Sequence, residues 1–136
     1  MTLLFQGNYT FPDANTNGIS DTWEQQYFGG VSPARTRFTD SDGDHFSDYA
    51  EFIAGTNPTS TNSFLQLTEP AILPDGSIRI TWASVSGRLY RVEGSSNATT
   101  WTPVSDWVQA SGSPTVVTLP PHLSGAPYLF RLQVRP

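Results

Sequence analysis

Two stretches of this 136-residue chain place oxygen-bearing side chains at regular spacing. In the first, Asp13, Asn15, Asn17, Asp21 and Glu24 hold positions 1, 3, 5, 9 and 12 of a twelve-residue run, with Gly18 at position 6. In the second, 27 residues on, Asp40, Asp42, Asp44, Asp48 and Glu51 hold the same positions. Alternating ligands let a tightly curled loop turn several oxygens toward one centre, and a carboxylate at position 12 can close the far side with both oxygens. The carbonyls of Ile19 and Phe46 fall at position 7 and would add one oxygen each. This is chemistry for a hard cation. Ca2+ takes six to eight oxygens and fits better than Mg2+, which seldom uses an all-protein cage. Two Ca2+ ions are expected, one per run.

The runs differ at the sharp turn. Gly18 allows it without Cβ strain, whereas the second run has His45 at that position and Gly43 two places earlier. A left-handed backbone at His45 would cost about 1 kcal/mol or more. His45 is not expected as a ligand, since calcium prefers oxygen to imidazole nitrogen.

The elements that must position these runs are short. Each run feeds an amphipathic stretch, and helices are predicted over 21–28 and 48–54, with Trp23, Tyr27 and Phe28 on one face and Tyr49, Phe52 and Ile53 on the other. Core packing between the two half-sites is their expected role. No helical pattern precedes either run. Gly55 ends the second helix and Pro58 prevents its resumption. Beyond residue 63 the pattern changes to FLQLTE, SIRITWAS, RLYRVEGS, WTPVSDW, PTVVTLP and YLFRLQV, separated by Pro/Gly/Ser turns. Period-two alternation, as in Ile78, Ile80 and Trp82, describes half-buried strands. Trp82, Tyr90 and Phe130 are the expected aromatic core. The predicted fold is mainly β: paired EF-hand-like calcium loops with short helices, then a small antiparallel β-sandwich. Its parts are a tag-like or poorly structured leader over 1–11, a double calcium-loop domain over 12–62 and the sandwich over 63–136.

Composition bounds the function. Twelve acids against seven basic residues, all arginine, give a net charge of −5, and eight of the acids lie between Asp13 and Glu51. That balance disfavours nucleic acid and anionic membranes as partners. No apolar run is long enough to cross a bilayer. Absence of cysteine removes disulfides, thiolate metal sites and cysteine nucleophiles, so metal is the expected staple for a domain this small. His45 and His122 are the two histidines, and no nucleophile motif or phosphate loop accompanies them. An enzyme is not expected.

Both runs match the EF-hand calcium-loop pattern at its ligand positions. The longer stretch DANTNGISDTWEQQYFGG…DSDGDHFSDYAEFIAGTNPTS resembles the thrombospondin type 3-like and dockerin-like calcium repeats of secreted bacterial proteins. The resemblance covers about residues 13–60, down to the AGTNPTS tail. It implies structural calcium in a secreted or cell-surface accessory region, held by the ligand residues named above. ITWASVSGRLYRVEGSSNATTWTPV…YLFRLQV resembles, more loosely, the small fibronectin type III-like module that often follows such repeats.

The function expected is a calcium-binding accessory module that rigidifies a spacer or adhesion unit, as a monomer beside a neighbouring domain of a larger secreted protein. The alternative is a carbohydrate-binding module attached to a polysaccharide-degrading enzyme. In that reading Trp101 and Trp107 would stack on sugar rings, an aromatic face being apolar with polar groups around it.

Overall fold

A computed structural model describes residues 10–121 and 129–136. Most of the expected leader and His122 lie outside the described residues. The described residues divide into two compact units, one over 10–64 and one over 65–121 with 129–136. The boundary lies two residues past the predicted one. The described residues are mainly β, with two antiparallel sheets and two short helices among them.

The first unit holds α1 (Asp21–Phe28) and α2 (Asp48–Ala54), on the residues where the pattern predicts them. Both end on a left-handed glycine, Gly29 at φ 73° and Gly55 at φ 79°, whose N–H donates to the carbonyl of Gln25 and Glu51 respectively. Their starts differ. The Ser47 hydroxyl accepts from the Ala50 N–H and caps α2, whereas Ser20 makes no side-chain cap to α1. Helices of eight and seven residues are too short to stand alone, so aromatic packing must hold them. Trp23 meets Tyr27, Phe28 and Phe52 at centroid distances of 4.8, 6.0 and 5.6 Å. Phe11 packs edge-on against Phe52 at 5.4 Å, so residue 11 belongs to this unit rather than to a leader. Phe46 stacks on Phe64.

In the second unit β1 (Ala71–Ile72), β2 (Ile78–Trp82) and β6 (Thr115–Leu119) form one sheet in the order β1-β2-β6. In the other, β3 (Leu89–Ser95) pairs with β7 (Leu129–Arg135) and with two short strands, β4 (Thr102–Pro103) and β5 (Val108–Gln109). Pro74-Asp75-Gly76 makes the tight turn between β1 and β2, with Gly76 at φ 82°. Ile80, Trp82, Tyr90, Val92, Leu119, Leu132 and Val134 are all buried. Trp82 of one sheet touches Tyr90 of the other at 5.6 Å. Phe130 is half-buried rather than a core residue.

Two predicted strands shrink. FLQLTE contributes one bridge, Leu67 to Trp82, before the pairing passes to Ala71–Ile72. WTPVSDW keeps only β4, because Pro103 has no N–H to continue a ladder, and β5 begins just beyond it at Val108.

Candidate metal centre

The two oxygen-rich runs adopt one backbone design. In each, the position-1 carboxylate accepts the position-6 N–H: Asp13 from Gly18 at 2.9 Å, Asp40 from His45 at 3.0 Å. The position-5 side-chain oxygen accepts the position-7 N–H, Asn17 from Ile19 and Asp44 from Phe46, both at 2.8 Å. The position-9 carboxylate accepts the position-2 N–H, Asp21 from Ala14 at 3.0 Å and Asp48 from Ser41 at 2.9 Å. Each closes on a bond from the position-9 N–H to the carbonyl just before the run, Asp21 to Pro12 and Asp48 to Thr39. The 27-residue repeat is therefore a repeat of hydrogen bonds, not only of letters.

Both runs place positions 4 and 6 in the left-handed region: Thr16 and Gly18 at φ 58° and 85°, Gly43 and His45 at 82° and 78°. Each run thus carries one glycine and one strained residue. The choice at position 6 follows from space. A Cβ on Gly18 would meet the Tyr49 ring at 3.1 Å, a contact His45 does not have to satisfy because it is exposed.

The side chains diverge where the backbones agree. In the second run, carboxylate oxygens of Asp40, Asp42 and Asp44 all lie within 4.8 Å of one another. Asp42 Oδ2, Asp44 Oδ2 and Glu51 Oε2 are buried and have no hydrogen-bond partner among the described residues. Glu51 is 1 % exposed, and its other oxygen accepts from Thr56 Oγ1 at 3.2 Å. Burial first, then the charges of Asp42, Asp44 and Asp48, push its carboxyl up from 4.5 to about 8. Asp40 moves the other way. Burial acts to raise its carboxyl, but the N–H groups of Gly43, His45 and Asp44 outweigh that and hold it below its ordinary value. Orphaned buried carboxyl oxygens are costly unless a proton or a cation joins them. The donor set here is Asp40, Asp42, Asp44 and Glu51, with the Phe46 carbonyl at position 7, and it fits a hard cation.

The first run has its buried position-12 charge answered already. Glu24 is fully buried, and its carboxylate accepts from Arg35 Nη1 at 2.9 Å. Asn15 Nδ2 donates to both Glu24 oxygens, at 3.2 and 3.1 Å, and to the Ser32 carbonyl at 2.9 Å. Asn17 Nδ2 donates to the Arg35 carbonyl at 3.3 Å. The asparagines at positions 3 and 5 thus hold the turn Ser32–Arg35 with donors that aspartate lacks. Ser32 and Pro33 suit the first two places of that turn. Arg35 also donates through Nε to Asp48 Oδ2 at 3.0 Å and lies 3.6 Å from the Phe28 ring centre. With Ser41 N–H and Oγ also donating to it, Asp48 has both oxygens engaged. Among the described residues, no side-chain oxygen of Asp13, Asn15, Asn17, Asp21 or Glu24 is buried without a partner. Arg35 carries no sequence signal in the ligand pattern, lying between the runs in a segment of neither helix nor strand.

Trp101 and Trp107 are both half-buried in the second unit. The Arg131 guanidinium lies over Trp101 at 4.4 Å, and Arg91 and Arg135 lie over Trp107 at 4.7 and 3.9 Å. These arginines come from the outer face of β3 and β7, where Arg91 faces Gln133 and Glu93 faces Arg131 across the register. Arg131 pairs with Glu93 at 2.7 Å, and Arg91 donates to Gln133 Oε1. A sugar ring stacking on the arginine-covered faces would first have to displace a guanidinium.

No family model, curated protein or solved structure matches this chain. No helix among the described residues is long and apolar enough to cross a membrane.

Proposed function

We propose that the first unit is a calcium-binding module whose metal stabilises its fold, with residues 40–51 as the principal site. The observation that carries this reading is the set of orphaned, buried oxygens on Asp42, Asp44 and Glu51, three of the ligand positions that the spacing singles out. Asp40 would complete the carboxylate set and the Phe46 carbonyl would add a neutral oxygen. Hard oxygen donors in this number favour Ca2+.

The role is structural. The helices that follow the loops are short and have aromatic rings packed on each other, Trp23 of the first against Phe52 of the second. Calcium would offset the repulsion inside a unit whose core is a few rings. The second unit, with two facing antiparallel sheets, is read as a small β-sandwich. The whole is read as a calcium-stiffened accessory module of a secreted protein, of the thrombospondin type 3-like kind. Carbohydrate stacking on Trp101 and Trp107 gains no support from rings already covered by arginine.

The test is thermal unfolding of the chain in excess chelator and in calcium. At a hundredfold excess over its Kd, calcium should stabilise by about 2.7 kcal/mol, which raises the midpoint of a unit this size by roughly 10 °C or more. A midpoint equal in both conditions would remove the reading.

A further inference from the structure

We propose that Arg35 is the built-in counter-cation of the first run, so that the chain takes up one tightly held calcium ion rather than two. This rests on the calcium reading of residues 40–51 and departs from the expectation of one ion per run. The guanidinium stands where the run would otherwise hold its metal by the position-12 carboxylate, at 2.9 Å from Glu24 Oε1. Its surroundings are built to keep it there. Its side chain is 12 % exposed, its partners Glu24 and Asp48 are 0 % exposed, and Phe28 lies 3.6 Å from its carbon. The turn that presents it is fastened to the same run by the amides of Asn15 and Asn17.

Charge separates the runs further. The first has three carboxylates, Asp13, Asp21 and Glu24, and Arg35 answers one of them. The second has five, and Arg35 answers only Asp48, leaving four for the ion. Calcium affinity follows ligand charge, so the second run is the strong site. Through Asp48, Arg35 also ties the metal-free run to the metal-binding one, and a single ion can stabilise both halves.

Calcium alone, titrated calorimetrically into the chelator-stripped full chain, tests this. The wild type should show one tight event. Glu51→Gln, which keeps the side chain's size and shape but takes away one ligand oxygen, should weaken that event at least about 100-fold, given that even residues supporting a ligand are worth about 10–100-fold. Arg35→Gln should show a second tight event, which the added change Glu24→Gln should remove. Two comparable events in the wild type, a tight ion retained by Glu51→Gln, or a folded Arg35→Gln variant still taking one ion would each overturn the proposal. If Arg35→Gln does not fold, the wild-type stoichiometry and Glu51→Gln decide it. No calcium uptake by the wild type would instead overturn the calcium reading itself.

Discussion

The two oxygen-rich runs share a backbone and differ in what balances their charge. Residues 13–24 and 40–51 repeat four hydrogen bonds at equivalent positions. Yet Glu24 is held by an arginine and an amide, while Glu51 keeps one buried oxygen without a donor. A ligand pattern therefore fixes a loop's shape without fixing its occupant. The occupant depends on charges brought in from outside the pattern, here one arginine eleven residues beyond Glu24.

The largest effect should come from removing that arginine. Arg35→Ala strands two buried carboxylates, and a buried pair broken on one side costs about 3–5 kcal/mol. Urea unfolding in chelator should register a loss of that order, and calcium should recover part of it. A loss under about 1 kcal/mol would mean the two runs are not joined through Arg35.

Glu51→Gln sharpens the comparison from the other side. In chelator near neutral pH it should be about as stable as wild type, since burial and the neighbouring carboxylates raise the Glu51 carboxyl to about 8 and the amide replaces a group that is already mostly protonated. In calcium it should forgo the roughly 2.7 kcal/mol that a hundredfold excess over Kd supplies. Melting in both conditions separates the two effects, and an unchanged calcium increment would assign the ion elsewhere.

Smaller effects test the shared backbone. Gly18→Ala adds left-handed strain of about 1–2 kcal/mol and a Cβ 3.1 Å from Tyr49. Gly43→Ala has the same kind of strain but open space around it, and should cost less. His45→Gly should stabilise the chain by about 1 kcal/mol in the same measurement. Loss of stability with His45→Gly would show that the histidine side chain does more than occupy the turn.

The smallest contrast lies at the helix starts. Ser47→Ala should cost about 1 kcal/mol, the usual worth of a cap. Ser20→Ala, where no cap bond exists, should stay within about 0.5 kcal/mol. Equal costs would undo this distinction between the helices.

Much of this was legible in the residues. The aromatic spacing marks both helices, and Gly55 marks the end of the second. Ile78, Ile80 and Trp82 mark the inner face of β2. What sequence could not supply was pairing. Arg35 reaches Glu24 and Asp48 only because the turn at Ser32 folds back, and no periodicity reports such a turn's direction. Trp101 and Trp107 read by default as packed rings, with an exposed platform as the alternative, and only the register of β3 with β7 lines up the arginines that cover them. The left-handed residues at position 4 were hidden for a different reason. Each run shows a single glycine, so the shared requirement at Thr16 and Gly43 emerges only when the two backbones are compared.

The comparison is tested most directly by following backbone amides in a calcium titration of the full, isotope-labelled chain by heteronuclear NMR. The account predicts that the amides of residues 40–51 shift and saturate at one equivalent, while those of Asn17, Gly18 and Ile19 do not saturate with them as a second site. Equal shifts in both runs, saturating together at two equivalents, would contradict it.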